Sequence, residues 1–130
     1  MAPLRPVAVL VTHGVLGTEL VRTVERILGP QDDFVVVSNE GLSAEGLVAA
    51  IETALVALPQ GQAAVVFSDL AAGSCGLAVR RAGSSDRVVR RITGANLPML
   101  LEFFHYRGMV PLEDLLPRME TKGRAGIVAS

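Results

Sequence analysis

The sequence predicts a single three-layer α/β domain with a mostly parallel open sheet and helices on both faces. Short, β-branched apolar runs alternate with segments whose apolar residues recur at helical spacing, which is typical of a parallel sheet covered on both sides. The chain has 130 residues, about the size of one domain, and 50% of them are hydrophobic. We therefore expect one domain over residues 1–130, with right-handed crossovers.

Four runs are predicted as strands, and a fifth strand is possible near the end of the chain. The first run, Val7–Val11, is continuously apolar, as expected for a strand buried on both faces. The next three runs are Phe34–Val37, Ala63–Phe67 and Val88–Thr93. Gly126–Ala129 could form a last, antiparallel strand.

Helical patterns fill the intervals between these runs. Leu16–Leu28 places its apolar residues on one stripe, and Gly29 followed by Pro30 ends the pattern. Ser43 is a predicted N-cap for a helix that continues to about Leu58. Further helices are expected over Cys75–Ala82, Met99–Tyr106 and Leu112–Met119.

Charge and cysteine content narrow the classes of function. The net charge is −1, so the overall charge predicts binding neither to nucleic acid nor to an anionic membrane. Cys75 is the one cysteine, which excludes an intrachain disulfide and favours a reducing, cytoplasmic setting. The sequence shows no secretory signal and no apolar run of about 18 residues that would span a membrane.

Candidate chemistry is concentrated in the loops that follow three of the predicted strands. In open α/β sheets, ligands bind at the carboxyl ends of the strands. Thr12-His13-Gly14 follows the first strand, Asp69 to Ser74 the third, and Gly94 to Pro98 the fourth. If these strands are neighbours in the sheet, the three loops converge.

His13 is the sharpest candidate for a reactive side chain. A neutral imidazole nitrogen can act as a nucleophile or a base near neutral pH. Asp69 holds the equivalent place after the third strand and could accept the N–H of the other ring nitrogen, which would fix the tautomer and raise the basicity of the ring. The alternative is that His13 merely ends a strand and that Asp69 caps the following loop or helix.

Gly73 and Ser74 precede a predicted helix, whose N-terminus would attract phosphate, although ordinary capping is the alternative. Cys75 is predicted to be a packing residue at the start of this helix, with a reactive thiol as the alternative.

A Walker lysine and a glycine-rich dinucleotide fingerprint are both missing from the sequence. One cysteine and two distant histidines lack metal-ligand spacing, so we predict neither a metal site nor a cofactor.

Two further features have plainer explanations. Arg80, Arg81, Arg87, Arg90 and Arg91 form a basic cluster that could be a docking face for an acidic partner or simply a solvated face. The cluster lacks interleaved aromatic residues, which argues against single-stranded nucleic acid. The other histidine, His105, lies near the end of a predicted helix, where its expected role is structural.

Three motifs, taken in order, resemble the IIA domain of the mannose–sorbose family of the bacterial sugar phosphotransferase system, from about Val7 to Val128. Thr12-His13-Gly14 is similar to the segment around that family's phosphorylated histidine. Asp69 to Ser74 resembles its Asp-x-x-Gly-Gly-Ser-Pro segment, and Gly94 to Leu100 its Gly-x-Asn-x-Pro-Met-Leu segment.

Two positions in the second motif depart from the family pattern. Ala72 replaces the first glycine, which restricts the loop because alanine disfavours positive φ. Cys75 replaces the proline and restores a backbone N–H that could reach a phosphate.

The resemblance implies a phosphoryl carrier that accepts phosphate from the HPr phosphocarrier protein on His13 and passes it to a IIB protein. In this family pattern Asp69 holds the reactive tautomer, Gly73 and Ser74 bind the phosphoryl oxygens, and Asn96 and Pro98 shape the neighbouring loop. The resemblance also implies a homodimer that can exchange its C-terminal strand, and a membrane association that is only indirect, through a permease complex.

Two other functions remain open at the level of sequence. The first is a regulatory phosphohistidine module that is not coupled to sugar transport. The second is a small hydrolase-like enzyme, which ranks last because the sequence lacks a Gly-x-Ser-x-Gly elbow.

Overall fold

The sheet of this computed structural model, which describes residues 5–130, contains four strands that are all parallel. They are β1 (Val7–Thr12), β2 (Phe34–Ser38), β3 (Ala64–Ser68) and β4 (Val89–Ile92). Their order in the sheet is β2-β1-β3-β4, so β1 and β3 occupy the centre. This arrangement confirms the predicted parallel open sheet.

Helices cover both faces of the sheet, which confirms the predicted three layers. The helices are α1 (Leu16–Leu28), α2 (Ala44–Val56), α3 (Gly73–Arg81), α4 (Leu97–Tyr106) and α5 (Leu112–Ala125). One core cluster joins the sheet to α2 and α3, and a second joins it to α1, α4 and α5.

Strand β1 explains why a continuous apolar run was needed. Val7, Val9 and Val11 face the α2–α3 layer, whereas Ala8 and Leu10 face the other layer. Successive side chains of a strand point to opposite faces, so a strand covered on both sides has no polar alternation. All six residues of β1 are buried.

The helix boundaries that differ most from the predicted ones are the starts of α3 and α4 and the end of α5. Helix α3 begins at Gly73 and α4 at Leu97, two residues earlier than expected in each case. Helix α5 continues past Pro117 to Ala125 instead of ending near Met119. Pro117 removes one helical hydrogen bond, but Glu113, whose carbonyl loses its donor, is exposed and can bind water.

The possible strand over Gly126–Ala129 does not form in the single chain. Helix α5 continues through Ala125, and within residues 5–130 no segment pairs with the outer edge of β4. Ile127 and Val128 are exposed instead. An exchange of this segment between subunits therefore stays a prediction.

None of the helices described over residues 5–130 is both long and apolar enough to cross a lipid bilayer.

Candidate functional site

The strand order brings the three predicted loops to one edge of the sheet. Because β1 and β3 are neighbours, with Val11 opposite Ser68, the residues that follow them meet at the carboxyl end. The third loop joins them, since the N–H of Ala95 donates to the carbonyl of Ser68 at 2.9 Å. The predicted convergence of these loops is confirmed.

His13 and Asp69 form the centre of this edge. Asp69 Oδ2 lies 2.9 Å from His13 Nδ1 and also accepts the backbone N–H of His13 at 3.0 Å. Asp69 Oδ1 accepts the N–H of Leu70 at 3.0 Å. The His13 side chain is 42% exposed and that of Asp69 only 8%, so the carboxylate supports the ring from beneath while the ring reaches solvent.

The charge of Asp69 determines the tautomer of His13. Burial by itself would raise the pKa of Asp69, but hydrogen bonds from the backbone and ring of His13 outweigh it and lower the pKa below its usual 3.8. At neutral pH the carboxylate can therefore only accept hydrogen bonds, so Nδ1 carries the proton. In the neutral ring this leaves the lone pair on Nε2 free to attack an electrophile.

Thr12 and Asn39, to which no sequence pattern assigned a role, hold the loop around His13. The buried hydroxyl of Thr12 accepts the N–H of Gly17 at 2.7 Å, in the first turn of α1. Asn39, after β2, accepts the N–H of Gly14 at 3.0 Å. Ser or Thr near a helix start is a common capping signal, but Asn39 lies too far along the chain for any local pattern to indicate its partner.

The loop after Asp69 accommodates the substitution at Ala72. Ala72 has φ −107° and ψ −178°, an extended conformation that alanine adopts without strain. The left-handed conformation falls on the next residue, Gly73, with φ +79°. The expected restriction at Ala72 is therefore absent, because the retained glycine is the one that the turn requires.

Gly76 allows α3 to begin directly against this loop. A Cβ at position 76 would lie 2.4 Å from the carbonyl oxygen of Ala71. The close approach brings the first turn of α3 beside the His13–Asp69 pair, with Ser74 half-buried and Gly73 exposed. The first turn of α3 contains no acidic residue of its own.

Cys75, in the first turn of α3, has 0% of its surface exposed and belongs to the core cluster that joins α2 and α3 to the sheet. Its Sγ and the ligand atoms of His13 and Asp69 all lie within 4.8 Å of one another. Burial and the nearby charge of Asp69 raise the pKa of the Cys75 thiol, which is therefore protonated at neutral pH. The packing role predicted for Cys75 agrees with this position.

The third loop shapes the site without contributing a reactive group to the His13–Asp69 pair. Asn96 caps α4 by accepting the N–H of Met99 at 3.2 Å, and its amide donates to the carbonyl of Gly123 at 2.9 Å. Pro98 lies in the first turn of α4. This loop therefore fastens α4 to α5 beside β4.

The arginine cluster is largely occupied by internal contacts. Arg87 donates to the carbonyls of Pro59 and Gln62 at 3.0 and 2.9 Å, after the end of α2. Arg91 donates to the carbonyl of Val79 at 2.8 Å, near the end of α3. Two of the others are also paired, Arg80 with the carbonyl of Ala71 and Arg90 with the carboxylate of Glu113. These contacts favour a structural role over a docking face.

His105 lies apart from the His13 loop in sequence and in its contacts. It occupies the last turn of α4, is exposed and packs edge-on against the Tyr106 ring at 4.5 Å between centroids. A side chain at a helix C-terminus that can become positive suits the helix dipole, as predicted.

Apolar side chains are exposed in the segments around His13. Val15 and Leu16 follow it after Gly14, Leu42 lies in the loop after β2, and Leu70 follows Asp69. Each of the four lies in a segment that follows a strand at the carboxyl edge of the sheet.

Fold and site together define a small α/β protein with a partly exposed histidine that a buried carboxylate holds in one tautomer. A family model described as the PTS system fructose IIA component (EIIA-man) matches residues 7–119. The chain therefore belongs to the mannose-type IIA components of the sugar phosphotransferase system, as the sequence motifs predicted.

Solved structures share the fold over nearly the whole chain. The phosphotransferase system component EIIA from Streptococcus agalactiae is 24% identical, with a TM-score of 0.83 and 95% of each chain covered. The mannose/sorbose specific IIA subunit from Enterococcus faecalis is 20% identical, with a TM-score of 0.78, covering 98% of this chain and 96% of that one.

A more distant neighbour has a different description. A sigma-54 interaction domain protein from Enterococcus faecalis is 13% identical, with a TM-score of 0.69, covering 94% of this chain and 93% of that one. No curated protein sequence matches the chain. These structural likenesses establish the fold, and the family assignment establishes a component of a phosphotransferase system.

Proposed function

We propose that the chain is a phosphoryl carrier that accepts phosphate from HPr on His13 and passes it to a IIB protein. The observation that carries this proposal is the hydrogen bond between His13 Nδ1 and Asp69, 2.9 Å long, which leaves Nε2 as the nucleophilic atom. The family supplies the context, since IIA components belong to a phosphotransferase system.

The transfer is an in-line displacement at phosphorus. A P–N bond forms to His13 Nε2 as the bond between phosphorus and the donor breaks, and the proton on Nδ1 stays between the ring and Asp69. The ring gains positive charge during this step, and the carboxylate 2.9 Å away stabilises it. Positioning and electrostatics supply the catalysis, and the chain itself needs no metal, nucleotide or organic cofactor.

The start of α3 is the proposed binding site for the phosphoryl oxygens. The left-handed conformation of Gly73 turns the chain into the helix beside the His13–Asp69 pair. Backbone N–H groups at Gly73 and Ser74, together with the Ser74 hydroxyl, would donate to the oxygens there. The N–H of Cys75, which a proline would lack, adds a further donor to this first turn.

The exposed aliphatic side chains around His13 are the proposed contact surface for HPr and for the IIB protein. Both partners must bring a reactive atom to within bonding distance of Nε2, so both must cover the same edge of the sheet. We propose that the carrier works in the cytoplasm as a homodimer and meets the membrane only through a permease complex.

The decisive test is phosphorylation of the purified chain by enzyme I, HPr and phosphoenolpyruvate, followed by intact mass and acid lability. The wild type and His105→Ala are expected to gain one acid-labile phosphate, while His13→Ala gains none. His105 provides the matched control because the chain has two histidines. Wild-type protein that stays unphosphorylated beside demonstrably active HPr would contradict the proposal.

A regulatory module that uses the same phosphohistidine is the second candidate. Its support is the shared fold of the sigma-54 interaction domain protein. Phosphorylated chain mixed with the IIB proteins of its own organism distinguishes the two functions. Rapid loss of phosphate to a IIB protein supports the transport carrier, whereas a phosphate that no IIB protein removes supports the regulatory module.

A further inference from the structure

His13, Asp69 and Cys75 form a cluster of three different metal-binding side chains at the start of α3. One ligand atom from each residue lies within 4.8 Å of the other two, and His13 Nδ1 lies 2.9 Å from Asp69 Oδ2. Ligands around one tetrahedral zinc ion lie roughly 3–4 Å from each other, given bond lengths of about 2.0–2.3 Å. Small side-chain movements therefore suffice to close the three around one ion.

The donor set selects the kind of ion. Imidazole nitrogen, thiolate sulfur and carboxylate oxygen are the three ligand types that zinc takes in proteins. A thiolate disfavours the hard cations Mg²⁺ and Ca²⁺, which take oxygen ligands. The presence of Cys75 therefore points to zinc or a chemically similar divalent transition metal.

Exposure of the three residues provides an access route and a free coordination position. The side chain of His13 is 42% exposed and that of Asp69 8%, while Cys75 is fully buried. The ligands thus extend from the surface into the core, and an ion would meet the ring first. Solvent on the His13 side would supply the fourth ligand as a water molecule.

We propose that His13, Asp69 and Cys75 form a binding site for zinc or a similar divalent transition metal ion, and that an ion held there prevents phosphorylation of His13. The second part rests on the proposed phosphoryl transfer to His13, whereas the first part is independent of it.

Competition follows from the chemistry of the imidazole ring. A neutral ring has one unprotonated nitrogen, and its lone pair can bind either the metal or phosphorus. A metal ion among these three residues binds Nδ1, the nitrogen beside Asp69 Oδ2, so the Nδ1 proton moves to Nε2 through solvent and Nε2 can no longer attack. The thiol of Cys75 loses its proton to solvent as the Cys75–metal bond forms, so uptake of one ion releases one proton.

Cobalt(II) is a direct probe of the ligand set. We expect wild-type protein to bind one Co²⁺ per chain and to show a thiolate-to-cobalt charge-transfer band. Added Zn²⁺ should displace the Co²⁺ and abolish this band. Cys75→Ser keeps the side-chain volume and the backbone N–H, and we expect it to lose this band and to bind Zn²⁺ at least about 100-fold more weakly. His105→Ala should bind like the wild type.

A circular-dichroism melt verifies that Cys75→Ser is folded, and Cys75→Ala is a second variant if serine disturbs the core. The metal site is overturned if folded wild type shows no thiolate band, or if both Cys75 variants bind Zn²⁺ as tightly as the wild type.

The competition is tested in the phosphorylation assay with added Zn²⁺. Zinc should block wild-type phosphorylation and leave Cys75→Ser phosphorylated at its metal-free rate. Equal inhibition of both proteins overturns the competition, since zinc then acts elsewhere. Metal binding by a chain that HPr never phosphorylates supports the metal site and overturns the proposed function.

Discussion

The two ends of the sheet each hold an ionic side chain, and they surround it in opposite ways. At the carboxyl end, His13 meets one carboxylate and keeps 42% of its side chain exposed. At the amino end, the side chain of Arg107 is completely buried. His13 has a ring nitrogen that can bind a new partner, whereas Arg107 is a permanent charge whose two terminal nitrogens already donate to protein oxygens.

The surroundings of Arg107 explain this difference. Its guanidinium donates to the carbonyl of Asp33 at 2.7 Å and to the carbonyl of Asp32, just before β2. It also lies over the Phe104 ring, 4.8 Å from the centroid. Burial, followed by the charge of Arg5, lowers the pKa of Arg107 to about 10, which still leaves it charged at neutral pH.

A side chain that donates several hydrogen bonds to backbone carbonyls has a structural role, because moving it would leave each carbonyl without a donor. A single charged partner and an open face make a side chain reactive, because the free nitrogen can bind a group from outside. The contrast predicts that variants at the carboxyl end change phosphoryl transfer and that variants at the amino end change stability.

Asp69→Asn is expected to have the largest effect. The amide has no charge to stabilise the ring. Its NH₂ group can donate a hydrogen bond to Nδ1, which favours the tautomer with the proton on Nε2 and so removes the attacking lone pair. We expect phosphorylation by HPr to slow about 10²- to 10⁴-fold, measured as a single-turnover rate. A rate within about twofold of the wild type would show that the hydrogen bond between Asp69 and His13 has no catalytic role.

Arg107→Met is expected to have the largest effect on stability. The carbonyls of Asp32 and Asp33 lose their buried donor, and the free energy of unfolding should fall by about 2–4 kcal/mol. Arg107→Lys keeps the charge but not the planar set of donors, so its free energy of unfolding should lie between those of the wild type and Arg107→Met. Urea unfolding measures both variants.

The folded fraction of Arg107→Met should accept phosphate at the wild-type rate. A slowed transfer in fully folded protein would mean that the amino end of the sheet also shapes the His13 site, and the contrast between the two ends would fail.

Gly17→Ala tests how closely the site depends on the start of α1. A Cβ at position 17 would lie 2.7 Å from Thr12 Oγ1 and 2.8 Å from Val36 Cγ1, so α1 must shift away from β1. We expect a loss of about 1–3 kcal/mol in unfolding free energy and a slower transfer to His13. Gly83→Ala is the control, because its Cβ meets nothing nearer than 3.8 Å.

The contrast between the ends also explains what the sequence could predict. Strand β1 is recognisable because burial on both faces requires a continuous apolar run, and His13 and Asp69 are recognisable because each directly follows a central strand. Residue types and their place after a strand are visible in one sequence.

Contacts that depend on the packing of distant segments were not predictable. Asn39 binds the N–H of Gly14 and Arg107 binds the carbonyl of Asp33, and nearly every residue type has both of these backbone groups. A backbone carbonyl or N–H leaves no signal in the sequence, so the partners of Asn39 and Arg107 appear only in the fold. The proximity of Cys75 to His13 likewise depends on where α3 begins.

Acid should weaken the contacts of Asp69 at the carboxyl end and leave those of Arg107 unchanged. This is the smallest effect we expect, because burial of Asp69 offsets part of the lowering of its pKa by hydrogen bonds. The pKa of Asp69 lies below 3.8 in the folded chain, so as pH falls the unfolded chain takes up this proton first. Asp69 therefore contributes its full stabilisation at pH values above its ordinary pKa, and this contribution disappears as the pH falls through its pKa in the folded chain. Urea unfolding of wild type and Asp69→Asn should give free energies that converge below pH 3.8. A constant difference down to about pH 2 would mean that the carboxylate does not titrate there and that its bonds to His13 do not depend on its charge.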